Sequence, residues 1–148
     1  MQKISELAVD PQSDKIREEA LWVMCNIVNC GSNYQAKTLF EMTTFESEGI
    51  EQNLLTQALI KKLKTSNDES LINNILEAIQ KLFELDEIYG LKEEDSIIEN
   101  FCESCGLEAL DACILRYSAS DLDGGEEKSI FVVANELHKV ASDHKYGG

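Results

Sequence analysis

Apolar side chains recur at intervals of three and four residues along most of this sequence, which is the period of an amphipathic α-helix. Ser13 or Asp14 opens the first long run, and Gly31 closes it. The segments predicted next are a shorter helix over 34–42, a polar connection over 43–48 and a further helix over 50–63. The first half of the chain is therefore predicted to be helical throughout.

The second half repeats this succession of helices. Ser66 and Glu69 have the spacing of a capping box ahead of an apolar run over residues 71–83. Ser96 and Glu99 show the same spacing ahead of a short helix. The remaining predicted segments are a break at Gly106, a helix over 107–117, a loop over 118–125, a long helix over 130–141 and a frayed tail over 144–148. Strands are not needed anywhere to account for the pattern.

The long helices recur at a nearly constant interval. They are predicted to begin near Asp14, Asp68 and Glu126, at separations of 54 and 58 residues. Armadillo and HEAT repeats are shorter, at about 40–47 residues, and insertions at 43–48 and 89–95 account for the excess. One short and two longer helices cannot bury their apolar faces alone, so neighbouring units share a core. We therefore predict an all-α fold, an armadillo-repeat right-handed solenoid of about two and a half repeats with three helices each.

The predicted solenoid divides a single domain into consecutive parts. Residues 1–31 form the end of one repeat, residues 32–90 a second repeat, residues 91–142 the last repeat, and residues 143–148 a tail. Residues 4–9 resemble the end of a middle helix without the earlier elements of its unit. We therefore expect the chain to be a fragment of a longer solenoid.

Composition favours one core under an acidic surface. With 43% hydrophobic side chains in 148 residues, the chain can bury one continuous core but is short for two domains. Its formal net charge is −15, and residues 75–148 hold 17 of the 28 acidic but 6 of the 13 basic side chains. Such a field repels nucleic acid and anionic membranes and attracts basic peptides. Alternatively, the surplus carboxylates only keep a helical surface soluble.

The sequence also indicates an intracellular setting. No apolar run approaches the roughly 18–20 residues that span a bilayer, and the N-terminus has no hydrophobic signal region. The five cysteines are an odd number, and Cys25, Cys30 and Cys113 lie within apolar helical patterns. Reduced thiols fit this arrangement better than a disulfide framework.

One helix carries a candidate recognition surface. Trp22, the sole tryptophan, and Asn26 stand four residues apart and share a helix face, and Glu18 and Glu19 flank the same face. An indole can attract a lysine ammonium, and a carboxamide can both donate to and accept from a peptide main chain. This combination favours an extended, lysine-rich peptide. The alternative is that Trp22 is a large core residue at an interface between repeats.

Three segments resemble importin alpha (karyopherin alpha), the armadillo adaptor that carries nuclear localisation signals. The segment IREEALWVMCNI at residues 16–27 resembles the Glu-Ala-x-Trp-x-x-x-Asn third helix of that family. The segments LEAI at 76–79 and GLEAL at 106–110 resemble its penultimate and last repeats in order and spacing. The resemblance covers nearly the whole chain, as the final two and a half repeats of the family.

The resemblance implies a binding function without chemistry. Trp22 and Asn26 would form the end of the family's minor signal-binding site, with Glu19 in the matching acidic position and Glu18 beside it. Basic nuclear localisation signal peptides would bind there. An importin beta-type carrier would bind through an N-terminal segment that precedes this chain. The export receptor and nucleoporins would bind the last repeat, at about residues 93–136, and the protein would shuttle between cytoplasm and nucleus.

Other candidate chemistry carries less weight. Cys102 and Cys105 form a C-x-x-C pair, but zinc needs about four ligands, and thioredoxin-like chemistry expects a βαβ setting. Cys113 and His138 could complete a metal site, although packing beside a glycine explains the pair more simply. No nucleophile is spaced to use His138 or His144. We therefore expect no enzyme activity, cofactor or metal. A zinc- or thiol-dependent protein and an armadillo or HEAT scaffold unrelated to nuclear transport remain the alternatives.

Overall fold

The computed structural model describes residues 14–91, 96–117 and 130–146. Within these residues the chain forms seven helices and one short antiparallel hairpin. The elements are α1 Asp14–Cys30, α2 Asn33–Met42, β1 Thr44–Ser47, β2 Ile50–Asn53, α3 Leu54–Thr65, α4 Glu69–Ile88, α5 Ile97–Glu103, α6 Gly106–Tyr117 and α7 Ile130–Tyr146. The prediction of a predominantly helical fold is confirmed.

Helices at corresponding positions along the chain pack against each other. The long helix α1 contacts α4, and α4 in turn contacts α7. The helices α3 and α6, which we call the middle helices because each directly precedes a long helix, also contact each other. The short helix α5 packs against α4, α6 and α7. The long helices therefore form one layer and the middle helices another, with apolar side chains between them.

A single apolar core runs through both layers, and α4 contributes half of its largest fully buried side chains. The largest fully buried side chains are Leu21, Met24, Leu39, Leu55, Leu59, Leu63, Leu71, Ile72, Ile75, Leu76, Ile79 and Leu85. Burial of each such side chain stabilises the fold by about 1.5–3 kcal/mol before the loss of chain entropy is counted. Because its apolar positions cover a wide arc, α4 can pack against helices on both sides.

An aromatic contact joins α4, α5 and the start of α6. The rings of Phe83 in α4 and Phe101 in α5 meet edge to face, with centroids 5.1 Å apart. The Phe101 ring also covers Gly106, where an added Cβ would lie 2.3 Å from a ring carbon. Only glycine leaves room for the ring at this position. Gly106, which was predicted as a break, is the first residue of α6.

A buried carboxylate holds the N-terminus of α5. Asp86 in α4 accepts hydrogen bonds from Ser96 Oγ at 2.6 Å and from the backbone N–H groups of Ile97 at 2.7 Å and Ile98 at 3.0 Å. Ser96 is the N-cap, and its Oγ accepts from the N–H of Glu99 at 3.1 Å, as predicted. Together the two side chains accept hydrogen bonds from the N–H groups of Ile97, Ile98 and Glu99, which have no partner within the helix.

The prediction that no strand would occur is wrong between α2 and α3. The polar stretch at 43–48 was expected to be a loop and Ile50 was expected to lie in a helix, but β1 and β2 pair as a hairpin. Glu48 and Gly49 form its two-residue turn, with φ of +54° and +80°. Positive φ at both central positions gives the twist that suits the flanking strands. The helix therefore begins at Leu54.

Asn53 explains why the chain leaves the strand there. Its side chain is fully buried and is the N-cap of α3, with Oδ1 accepting from the N–H of Thr56 at 2.8 Å. Its Nδ2 donates to the Phe40 carbonyl at 2.8 Å, to Thr43 Oγ1 at 3.0 Å and to Thr44 Oγ1 at 2.9 Å. One amide thus joins the end of α2, both strands and the start of α3.

Two further predictions need correction. The capping box at Ser66 and Glu69 does not form, because Asp68 is the N-cap of α4 and accepts from the N–H groups of Ser70 and Leu71. The frayed tail predicted from His144 is helical, since α7 continues through Tyr146. The predicted middle-helix end at 4–9, the loop at 118–125, the helix start near Glu126, part of the insertion at 89–95 and the last two residues of the tail lie outside the described residues.

Two basic side chains close the C-terminal ends of earlier helices. Lys81 Nζ in α4 donates to the Gly31 carbonyl at 2.9 Å, just after α1. The Arg116 guanidinium in α6 donates to the carbonyls of Lys64 at 3.0 Å and Ser66 at 2.9 Å, and also to that of Leu63, at the end of α3. Cations are favourable at helix C-termini because of the free carbonyls there.

Candidate functional site

The predicted recognition residues lie on α1, whose packing decides which of them are exposed. Leu21, Met24, Cys25 and Val28 are fully buried on one face of this helix. The opposite face is therefore left to solvent, and it carries Glu19 and Asn26 as exposed residues.

Trp22 lies at the border between these two faces. It is partly buried and packs against the apolar core. Its position four residues before Asn26 puts both side chains on the same side of α1. The indole therefore has one part in the core and one part in the exposed face.

The two glutamates of the predicted site have different surroundings. Glu18 Oε2 lies 3.8 Å from Nζ of Lys62 at the end of α3, and 38% of the Glu18 side chain is exposed. An ion pair of this exposure contributes about 0–1 kcal/mol. Glu19 is exposed, and no basic group in the described part of the chain lies within ion-pair distance of it. Glu19 is thus the freer carboxylate for a cationic ligand.

A contact beside this face was missed in the sequence. Asn29 lies one turn beyond Asn26, and its Nδ2 donates to Asn74 Oδ1 at 2.8 Å and to the Asn74 carbonyl at 3.2 Å in α4. The Asn29 Oδ1 and the Asn74 Nδ2 are buried without a partner among the described residues. The spacing of Asn26 and Asn29 signals a polar stripe, but it does not reveal that only the second amide reaches α4.

The acidic character continues on α4. Its outer surface carries Glu77, Gln80 and Glu84 as exposed residues at helical spacing. The ammonium of Lys81, on the same helix, donates to the Gly31 carbonyl and keeps its positive charge there. The outer surface of α4 carries more exposed acidic than basic side chains and therefore favours cationic ligands over anionic ones.

The five cysteines are free thiols that differ in exposure. Cys102 is buried, with Sγ 3.7 Å from the Ala141 carbonyl, while Cys105 is exposed and has φ of +69°. Burial raises the pKa of the Cys25 thiol to about 12 and also raises the pKa of Cys113. Across residues 14–91, 96–117 and 130–146, no three histidine, cysteine or acidic side chains are grouped as metal ligands would be.

Both histidines pair with carboxylates on neighbouring helices. His138 Nε2 lies 3.0 Å from Asp111 Oδ1 in α6, and His144 Nε2 lies 3.0 Å from Glu99 Oε2 in α5. These contacts attach α7 to the two helices before it. Among the described residues, His138 is not grouped with the cysteines as a set of metal ligands.

None of the helices in the described segments combines the length and apolar character needed to cross a bilayer. Comparison of the chain with protein-family models, with curated proteins and with solved structures found no match.

Proposed function

We propose that this chain is the C-terminal portion of an importin alpha-like adaptor, an armadillo-repeat protein that reversibly binds basic nuclear localisation signal peptides. The fold supports this proposal through the packing of successive long helices, α1 against α4 and α4 against α7. The links from Lys81 to Gly31 and from Arg116 to Ser66 also both span 50 residues, and this equal spacing supports a recurring unit. The handedness and repeat class of the solenoid belong to this proposal.

The observation that carries the proposal is the exposed face of α1. A partly buried indole, an exposed carboxamide and an exposed carboxylate stand there, at Trp22, Asn26 and Glu19. A lysine stem would lie along the indole, its ammonium would be attracted by the ring and by the carboxylate, and the carboxamide would bind the peptide main chain. Glu18 would add negative potential from its position beside Lys62.

The wider partners follow from the same proposal. The last repeat, formed by α5, α6 and α7, would bind an export receptor and nucleoporins, and an importin beta-type carrier would bind a preceding N-terminal segment. The protein would then shuttle between cytoplasm and nucleus. Peptide affinity of this chain alone should be weak, because linked sites gain avidity only when both are present.

A titration of a fluorescein-labelled, lysine-rich nuclear localisation peptide tests the site. Trp22→Ala should weaken binding about three- to thirtyfold, which corresponds to the usual range of a cation–π contact. Trp22→Phe retains packing and should weaken it less. Tyr34→Ala is the matched control, since Tyr34 is 72% exposed on α2 and is not part of the site. Equal affinity of wild type and Trp22→Ala would remove the site assignment.

A second candidate is a helical scaffold unrelated to nuclear transport. The packing of Trp22 against the core favours it, as does the engagement of Glu18 by Lys62. Because Trp22 is the sole tryptophan, its fluorescence reports directly on this position. A blue-shifted emission that resists acrylamide, together with no response to the lysine-rich peptide, would favour the scaffold.

A further inference from the structure

The connection between α5 and α6 brings two cysteines to the ends of one tight turn. Helix α5 ends at Glu103 and α6 begins at Gly106, so only two residues join them. The Cys105 N–H donates to the Cys102 carbonyl at 3.2 Å, which closes a turn of four residues. The first and last Cα atoms of such a turn lie within about 7 Å of each other. We call residues 102–105 the cysteine turn.

The backbone of this turn suits a disulfide. Disulfides join residues whose Cα atoms are roughly 4.4–6.8 Å apart, and the closed turn holds Cys102 and Cys105 near that range. Both are reduced thiols in this structure. A disulfide between them would close a ring within the connection itself, between two residues that are already neighbours.

The two sulfurs differ in their access to solvent. Cys105 is exposed, whereas Cys102 is only 8% exposed. The Cys102 thiol donates to the carbonyl of Ala141 in α7, with Sγ and the oxygen 3.7 Å apart. Thiols that respond to oxidants are typically accessible and stand next to a second, resolving cysteine. Cys105 fits the first role and Cys102 the second.

The backbone at Cys105 argues against a purely structural role for its side chain. Its φ is +69°, and Glu48 is the other non-glycine residue with positive φ in the described segments. Glycine is the usual residue in this conformation after a helix, because a Cβ atom is crowded there. Packing also fails to explain Cys105, because its side chain is exposed. The interpretation of the pair as packing residues therefore holds for Cys102 alone.

The burial of Cys102 connects the cysteine turn to α7, which packs against α5. A disulfide has no S–H group, so oxidation removes the hydrogen bond from Cys102 to the Ala141 carbonyl whatever direction the sulfur takes. The contact between His144 and Glu99 also joins α5 to α7 and does not involve the sulfur. Oxidation should therefore loosen the α5–α7 junction without detaching α7.

We propose that Cys102 and Cys105 form a reversible intrachain disulfide when the protein meets hydrogen peroxide. The Cys105 sulfur attacks one peroxide oxygen, the O–O bond breaks, and the Cys105 proton leaves with the second oxygen as water. The Cys102 sulfur then attacks the sulfur of this sulfenic acid, the S–O bond breaks, and the departing hydroxide takes the Cys102 proton to form a second water. The two thiols lose two electrons to the peroxide, and a dithiol reductant restores both by thiol–disulfide exchange.

Peptide mapping after treatment with hydrogen peroxide tests the proposal. Remaining thiols are blocked with N-ethylmaleimide, and a glutamate-specific protease then cuts within the cysteine turn, after Glu103, and again after Glu108. These cuts place Cys102, Cys105 and Cys113 on separate fragments. We expect the fragments of Cys102 and Cys105 to stay linked by a disulfide that dithiothreitol releases. A link from either fragment to Cys113, or no link at all, would overturn the proposal.

Three variants separate this disulfide from general thiol oxidation. Cys105→Gly removes the accessible thiol and suits the positive φ, so it should abolish the link and leave the melting temperature unchanged or higher. Cys102→Ser should stop the reaction at the sulfenic acid of Cys105, which dimedone labels. Cys30→Ser is the matched control, because Cys30 is also exposed but lies at the end of α1, and this variant should form the link as wild type does. Dimedone labelling of Cys30 in place of Cys105, or loss of the link in Cys30→Ser, would refute the assignment.

Hydrogen exchange followed by mass spectrometry tests the effect on α7. Because the bond from the weak S–H donor to the Ala141 carbonyl is lost, amide groups over 138–146 should exchange about two- to threefold faster in the oxidised protein than in the reduced protein. Amide groups of α1 should show no change. Equal exchange of α7 in both forms would refute its coupling to the cysteine turn. Because this turn shares no residue with the exposed face of α1, Trp22→Ala should leave disulfide formation unchanged.

Discussion

Removal of the Asp86 carboxylate should be among the most damaging single changes on α4. In Asp86→Ala the Ser96 hydroxyl and the N–H groups of Ile97 and Ile98 lose their common acceptor. Each hydrogen bond to a charged group contributes about 1.5–3 kcal/mol, but the three share one carboxylate and do not add fully. We expect a loss of about 3–5 kcal/mol in the free energy of unfolding.

Two variants make this expectation specific. Asp86→Asn retains one acceptor oxygen but turns an NH₂ group towards at least one donor, so it should cost about half as much. Glu84→Ala changes an exposed residue of the same helix and should cost less than about 0.5 kcal/mol. Urea unfolding followed by far-UV circular dichroism gives all three values, and the m-value should not change. A cost for Asp86→Ala equal to that of Glu84→Ala would refute this account of the α4–α5 junction.

Two other predictions concern buried polar and thiol groups. Asn53→Ala removes the N-cap of α3 and three donated hydrogen bonds, and should lower the free energy of unfolding by about 2–4 kcal/mol in urea titrations; a change no larger than that of a surface substitution would contradict it. Because the pKa of Cys25 is raised to about 12 in the folded chain, the native state keeps its proton when the unfolded thiol has lost it. Stability should therefore fall as the pH rises above about 9, by up to roughly 1.4 kcal/mol per pH unit from this group. Cys25→Ala should show a shallower fall between pH 9 and 11, and parallel slopes would contradict the prediction.

The helices could be predicted because their apolar positions keep one period over many residues. In α4 the buried positions from Leu71 to Leu85 follow that period for four turns, and no strand pattern competes with it. The hairpin lacks such a signal. Its strands have four residues each, and its turn is Glu48-Gly49, although Asn-Gly and Asp-Gly are the usual sequences with two positive φ values.

The candidate sites could also be predicted only in part from the sequence. The spacing of Trp22 and Asn26 correctly gives a shared side of α1, but the degree of indole burial depends on the neighbouring core, which spacing does not describe. The concavity lined by Glu46, Glu99 and His144 was not predicted, because these residues come from three distant segments that only the packed fold brings together. Long-range contacts of this kind leave no periodic trace in a single sequence.

The hydrogen bonds from Lys81 and Arg116 to earlier helix ends also set an order in which the helices can be stabilised during synthesis. The Gly31 carbonyl accepts a hydrogen bond from the Lys81 ammonium, and the Ser66 carbonyl accepts one from the Arg116 guanidinium. In each case the donor lies 50 residues later in the chain. When the end of α1 leaves the ribosome, the lysine that donates to its carbonyl has not yet been made. Likewise, the arginine that donates to the end of α3 has not been made when α3 emerges. The ends of α1 and α3 thus gain this stabilisation only after α4 and α6 have emerged, and a nascent chain arrested earlier keeps the corresponding helix end open to solvent.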